Sequence, residues 1–307
     1  MKNQYVGDLG DFGKYALLRA FIGAGVKVGV NWYLTENDGS TDGKFTDYLN
    51  KDKMSRYDPD LFDTLKTIAF KPDKSVFDIQ NSGILSDTVF YSELLDLKGT
   101  AEDRVHKRKE WFEKSIKALS DAELIFMDPN NGLLESDDPS KKNAEKYVLP
   151  SEIEEYFNRG HNVVYYCHKG RRGFGDWESY KSLMFERIPE AKPTVLTYHK
   201  GSQRSYIFLI HEKDFVQYRK IIDKFMAWKR SDVFSEEYTS KGNTAGDVTG
   251  EGFSVKGSDG ITVTIEKRAD ANIRIIRSDH PNAVTIVSAD SFLDRIIRLH
   301  TVDTIKK

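Results

Sequence analysis

The sequence predicts an α/β fold: a three-layer α/β/α sandwich around a mostly parallel sheet, plus a small C-terminal antiparallel β-and-helix unit. Three observations lead there. The runs ELIFMD (123–128) and NVVYYCH (162–168) are apolar without alternation, as strands covered on both faces are. Stretches with helical period separate such runs. Near residue 235 the composition shifts to Ser, Thr, Glu and Gly, and the runs beyond it alternate at period two.

The elements follow in order. Residues 14–24 place Ala16, Leu17, Ala20, Phe21 and Ala24 at helical spacing. KVGVNWYLT (27–35) is a β-rich run that ends in ENDGSTDG. Asp58-Pro59 opens a helix through Leu61, Phe62, Leu65 and Ile68. Ser75–Ile79 reads as a second strand. Residues 102–119 form a long charged helix with Trp111, Phe112, Ile116 and Leu119 on its apolar face. ELIFMD is a buried strand that Pro129 stops. A helix begins at Pro150, NVVYYCH is another buried strand, and Trp177–Phe185 is helical. TVLTYH (194–199) and SYIFLIH (205–211) are strands joined by the short KGSQR loop, hence antiparallel. Lys213–Lys229 is the last helix of this part. Domain limits follow: 1–235 an α/β catalytic domain, 236–252 a Gly-rich linker, 253–307 a small sheet plus the helix ADSFLDRIIRLH.

Composition narrows the function classes. At 307 residues, 39% hydrophobic, the chain can bury a core and is not mainly disordered. Lys+Arg number 46 against 48 Asp+Glu, so a polyanion must bind through a local patch. The single cysteine, Cys167, excludes an intrachain disulfide and a Cys-cluster metal site. No apolar run reaches 18 residues, and the polar start is unlike a signal peptide, so a cytoplasmic chain is expected.

Open parallel sheets bind ligands beyond the carboxyl ends of their strands. After the first strand stand Asn37, Asp38, Gly39, Asp42 and Gly43. After ELIFM stands Asp128-Pro129-Asn130-Asn131-Gly132, where the proline ends the strand and leaves the Asp128 carboxylate at the sheet edge. Asn130 and Asn131 carry the paired donors and acceptors that read base edges; the structural alternative is an Asp-Pro turn that only leaves the sheet. After NVVYYC stand His168, Lys169, Arg171 and Arg172, a phosphate grip or a solvated basic turn. Arg204 opens the final strand, as a phosphate anchor or as half of an ion pair. VGDLGDFGKY sets Asp8, Asp11 and Lys14 among three glycines ahead of a helix, without P-loop spacing. Asp8 and Asp11 read as general base, sugar-cation stabiliser or metal ligands, or Asp11 as a helix cap. The run Arg104, His106, Lys107, Arg108 and Lys109 reads as a solvated face.

The segments NQYVGDLGDFGKYALLR, GVNWYLTENDGSTDG and IFMDPNNGL resemble a largely uncharacterised bacterial family found near phage-defence genes. The likeness spans roughly residues 3–211 and implies antiviral DNA glycosylases that remove modified bases. Asp128-Pro129 and His168 also resemble positions of the uracil-DNA glycosylases, although Asn130 replaces a tyrosine and no His-Pro-Ser follows His168. Asp128-Pro129 and Asp11-Phe-Gly-Lys14 resemble parts of the adenine N6-methyltransferases. There Asn130 and Asn131 depart from Pro-Tyr, and Thr35-Glu36-Asn37-Asp38-Gly39 replaces the glycine fingerprint.

Four readings stand open. The first is a cofactor-free glycosylase acting on DNA, with Asp8, Asp11 and Asp128 as carboxylates. Asn130, Asn131 and His168 then bind substrate, with Lys169, Arg171, Arg172 and Arg204 as its cations. The others are an S-adenosylmethionine-dependent base methyltransferase and a Mg-dependent nuclease or phosphohydrolase using Asp8, Asp11, Asp38 or Asp42. The last is an interaction module gripping nucleic acid through Arg268, Arg274, Arg277, Arg295 and Arg298.

Overall fold

The computed structural model describes residues 1–40, 43, 45–227, 233–239, 248–256, 262–268, 272–277 and 280–288. In chain order the elements are α1 (Leu9–Ile22), β1 (Val28–Asn31), α2 (Pro59–Ala69), α3 (Val76–Asn81), β2 (Val89–Tyr91) and α4 (Ala101–Ala118). Then come β3 (Leu124–Met127), β4 (Gly132–Leu133), β5 (Tyr147–Val148), α5 (Pro150–Asn158), β6 (Asn162–His168) and α6 (Phe174–Arg187). β7 (Lys192–Tyr198), β8 (Arg204–Ile210) and α7 (Glu212–Ala227) follow. The last strands are β9 (Phe234–Thr239), β10 (Val248–Lys256), β11 (Thr262–Arg268), β12 (Asn272–Arg277) and β13 (His280–Ser288).

The expected α/β fold is what forms. β2, β1, β3 and β6 lie side by side and parallel. Beyond β6 the hairpin β7–β8 enters antiparallel, with β8 next to β6 and β9 outside β7. Alternation along each strand divides the apolar residues between two cores, which is why the runs look continuous. On one face Val28, Val30, Phe126, Val164 and Phe208 meet Leu17 and Phe21 of α1, Leu61 of α2 and Phe225 of α7. On the other, Ile125, Met127, Val163, Tyr165 and Ile207 meet Trp111 of α4, Tyr156 of α5 and Trp177 of α6.

The direction of sheet growth reverses at β1. β2 adds to one side of β1, and β3 returns to the other. Such a reversal opens a crevice at the carboxyl ends of the two central strands, here after Asn31 and Met127.

Several elements differ from expectation. Ser75–Ile79 is no strand: Ser75 and Asp78 cap each other and start α3. The second strand is the short VFY of β2. β1 stops at Asn31, and the chain turns at Tyr33, whose φ of 43° is rare for a bulky residue. Arg108 is not on a solvated face. Its buried guanidinium pairs with both oxygens of Glu152 at 2.7 and 2.8 Å and donates to the carbonyls of Ala144 and Tyr147. Glu152 also accepts from the Tyr33 hydroxyl at 2.9 Å, so α4 and α5 together brace the turn after β1.

Residues 236–252 overlap two strands, β9 and the start of β10, while 240–247 lie outside the described residues. β9 pairs with β7 on one side and with β13 on the other, at Tyr238↔Ile286 and Thr239↔Thr285. β10 to β13 form an antiparallel meander that continues the sheet. The ADSFLDRIIRLH segment with Arg295 and Arg298, and Asp42, also lie outside the described residues. Among the described residues no helix is long and apolar enough to cross a membrane.

Candidate active site

The crevice at the reversal holds a cavity of ≈ 320 Å³. Its wall includes Asp8, Asp11, Asp128, Asn130, Asn131, His168 and Arg204, gathered from the two ends of a 197-residue stretch and three strand ends. That volume lies at the lower end of the range for small-molecule sites.

The start of α1 supplies one side. Asp8 is its N-cap, its Oδ1 accepting from the Asp11 N–H at 3.0 Å. Asp11, one turn on, accepts from the Gly7 N–H at 3.0 Å and the Tyr15 hydroxyl at 3.2 Å. Lys14 stands three residues further along the same helix face. Its ammonium touches Asp11 Oδ1 at 2.8 Å and Asp128 Oδ2 at 2.7 Å, with all three side chains buried. Burial opposes the charge on Lys14, but the two carboxylates overcome it and hold its pKa above the ordinary lysine value.

The strand ends supply the other side. Asp128 follows β3, and its N–H donates to the Asn31 carbonyl at 2.9 Å, holding the β1 and β3 ends in register. Burial, opposed by Lys14, pushes its carboxyl above the usual aspartate range. Asn130 donates from Nδ2 to Thr35 Oγ1 at 2.8 Å, and its buried Oδ1 has no partner among the described residues. Asn131 is tied by its backbone to Lys146 and to His168. His168 and Arg204 are cross-strand partners at the ends of β6 and β8. The Arg204 guanidinium lies against the backbone of Gly10, where any Cβ would collide with it, and its Nη2 stands 3.5 Å from Asp8 Oδ2. Burial, reinforced by the Asp11 charge, raises the Asp8 pKa; Arg204 works against that shift. The amino group of Met1 donates to the carbonyls of Tyr33 and Asp128, and burial lowers its pKa to about 4.

Three carboxylates thus face two permanent cations, Lys14 and Arg204. With all three ionised, the carboxylates outnumber the cations by one, a balance that favours a cationic species in the cavity. Two amides beside it offer hydrogen bonds to a planar heterocycle.

The other basic residues do not line this cavity. Arg172 lays its guanidinium 3.9 Å from the centre of the Tyr180 ring and stands 3.7 Å from Glu135. Lys169 and Arg171 sit on the same outer turn, Arg171 exposed. Asp38 pairs instead with Lys2 beside a second cavity of ≈ 470 Å³, whose wall also includes Asp96, Lys98 and Arg104. Asp8, Asp11 and Asp38 therefore form no single cluster, and among the described residues no three His, Cys, Asp or Glu side chains are grouped to hold a metal ion.

Ser202 of the KGSQR loop is also on the wall, together with residues that the strand-end search does not reach: Tyr166, Tyr5 and Phe45. Tyr166 is two positions before His168 and so on the same face of β6, a spacing that identifies it. No sequence pattern points to Phe45. No protein-family model and no curated protein matches the chain.

Proposed function

We propose that the chain is a nucleic-acid-directed hydrolase that takes one base turned out of DNA into the Asp8–Asp128 cavity and cleaves its N-glycosidic bond. The observation that carries this reading is the convergence of Asp8, Asp11 and Asp128 with the two amides Asn130 and Asn131 around one small cavity. Cleavage of the bond from sugar to base leaves positive charge on the sugar C1′. A fixed excess of carboxylate charge stabilises that charge, and comparable preorganised groups contribute ~3–4 kcal/mol. Asp11 and Asp128, locked on Lys14, form the fixed charge. Asp8, whose pKa burial raises, orients and deprotonates the attacking water. The amides bind the base edge as the base departs with the proton released by the water, and Arg204 keeps the Asp8 carboxylate turned to the cavity. Base extrusion costs a few kcal/mol, which contacts at the cavity mouth must offset.

The test is incubation with duplexes carrying normal and hypermodified bases, followed by alkali. Strand breaks at abasic sites are expected with the parent chain and absent with Asp8→Asn and Asp128→Asn. If no duplex yields abasic sites, the reading fails.

One observation favours a second reading, a base methyltransferase. The 2.7 Å contact of Lys14 with Asp128 joins the two segments on which that resemblance rests. Against it, the turn after β1 is made by the buried Tyr33 rather than by a glycine that lets a cofactor approach the backbone. Calorimetric titration with S-adenosylmethionine separates the two; tight binding supports the methyltransferase.

A further inference from the structure

Phe45 is 65% exposed, which is unusual for a phenyl ring, and it stands on the wall of the cavity described above. Other exposed large apolar side chains, among them Phe70, Phe77 and Val216, are not part of that wall.

Its backbone is fixed. The Phe45 carbonyl accepts the Leu9 N–H at 3.1 Å, which ties it to the first residue of α1. On one side Gly43 lies so close to Tyr5 that a Cβ there would strike both the ring and the backbone of that residue. On the other, Tyr48 donates to the Gly7 carbonyl at 3.2 Å, packs edge-on against Phe12 and Phe62, and is followed by the fully buried Leu49. The fold thus holds an apolar ring in water beside a polar cavity with room for one base. A base drawn into that cavity leaves a gap of one ring in the duplex stack. Apolar side chains that enter such gaps replace the lost stacking.

We infer that Phe45 is the wedge that fills the base stack when a nucleotide is turned into the Asp8–Asp128 cavity. This rests on the base-binding reading above. The ring does no chemistry; it stabilises the extruded state.

The test uses the full chain and five duplexes in which 2-aminopurine stands 3′ to A, C, G, T or hydroxymethylcytosine. Its fluorescence rises when the neighbouring base leaves the stack. The parent chain is expected to raise the signal on at least one duplex. Phe45→Ala should reduce that rise at least tenfold and Phe45→Trp should retain it, while all three bind the matching single strand with equal Kd. Because the ring is exposed, both variants should melt at the parent temperature. An equal rise with Phe45→Ala overturns the wedge and leaves the cavity reading standing. No rise and no DNA binding by the parent chain overturns both.

Discussion

Asp8 does two jobs that a single substitution can separate. As N-cap it satisfies the Asp11 N–H, and as a buried carboxylate it faces the cavity. Asparagine caps as well as aspartate but carries no charge. Since burial places the folded pKa of Asp8 above its unfolded value, the ionised side chain weakens the fold at pH 7. Below the unfolded value both states hold the proton and the penalty vanishes. Asp8→Asn should therefore melt no lower than the parent at pH 7, with any advantage shrinking as pH falls towards ~4. Turnover should drop by about 10²–10⁴, the usual worth of a general base. In the parent, kcat/KM should rise with pH through an apparent pKa above the ordinary aspartate range. Thermal melts at three pH values, set beside abasic-site yields, check both halves. A variant that melts far lower yet turns over normally would make Asp8 a structural residue only.

At the scale of elements, the turn after β1 matters most, because it shapes the crevice floor and bends at a residue ill-suited to its φ. A bulky residue at positive φ costs ~1–3 kcal/mol, so something must hold it. The brace is the Arg108–Glu152–Tyr33 network between α4 and α5. Arg108→Met leaves Glu152 buried without its cation, a change worth ~3–5 kcal/mol. At ~2–4 °C per kcal/mol for a chain of this size, melting should fall by about 10 °C. Calorimetric melting of the variant checks it, and a loss under 2 °C would show that the turn stands without the brace. The network was partly legible. Arg108 falls at helical spacing with Trp111 and Ser115, yet a run of five basic residues reads first as a wet face. The sheet was easier, because strands enclosed on both sides must be apolar at every position, as LIFM and NVVYYC are. β2, only three residues long and half open to water, carries no such mark. Ser75–Ile79 shows how capping by Ser75 and Asp78 outweighs a brief β-rich run. In the site, polar residues after strand ends were visible because packing does not require them there. Tyr166 hides inside an apolar strand, and Phe45 in a loop without period.

At the scale of the whole molecule, the sheet sets the cavity apart from the late strands. Among the described residues, every one on the cavity wall lies at or before Arg204. The meander β10–β13 joins the sheet at β9 by two register pairs, and β13 also lies against α6. Arg274 stands in register with Glu266 of β11, and Arg277 with Val263. Among the described residues the meander supplies nothing to the cavity wall. DNA affinity should then owe nothing to this part. Compared with chain 1–288, chain 1–239 should keep its abasic-site yield and its slope of log K against log salt. Each phosphate contact contributes about 0.9 to that slope, so loss of one unit or less supports the assignment. Loss of two or more would move the grip to the meander. The cut also bares the outer edge of β9, a strand that offers unpaired amides to a second copy. Glu236 there is held by Arg219 of α7, so β9 should stay on the sheet and the shortened chain should pair through it. A concentration-dependent shift to dimer in size-exclusion chromatography, absent from chain 1–288, is the expected sign of that exposed edge.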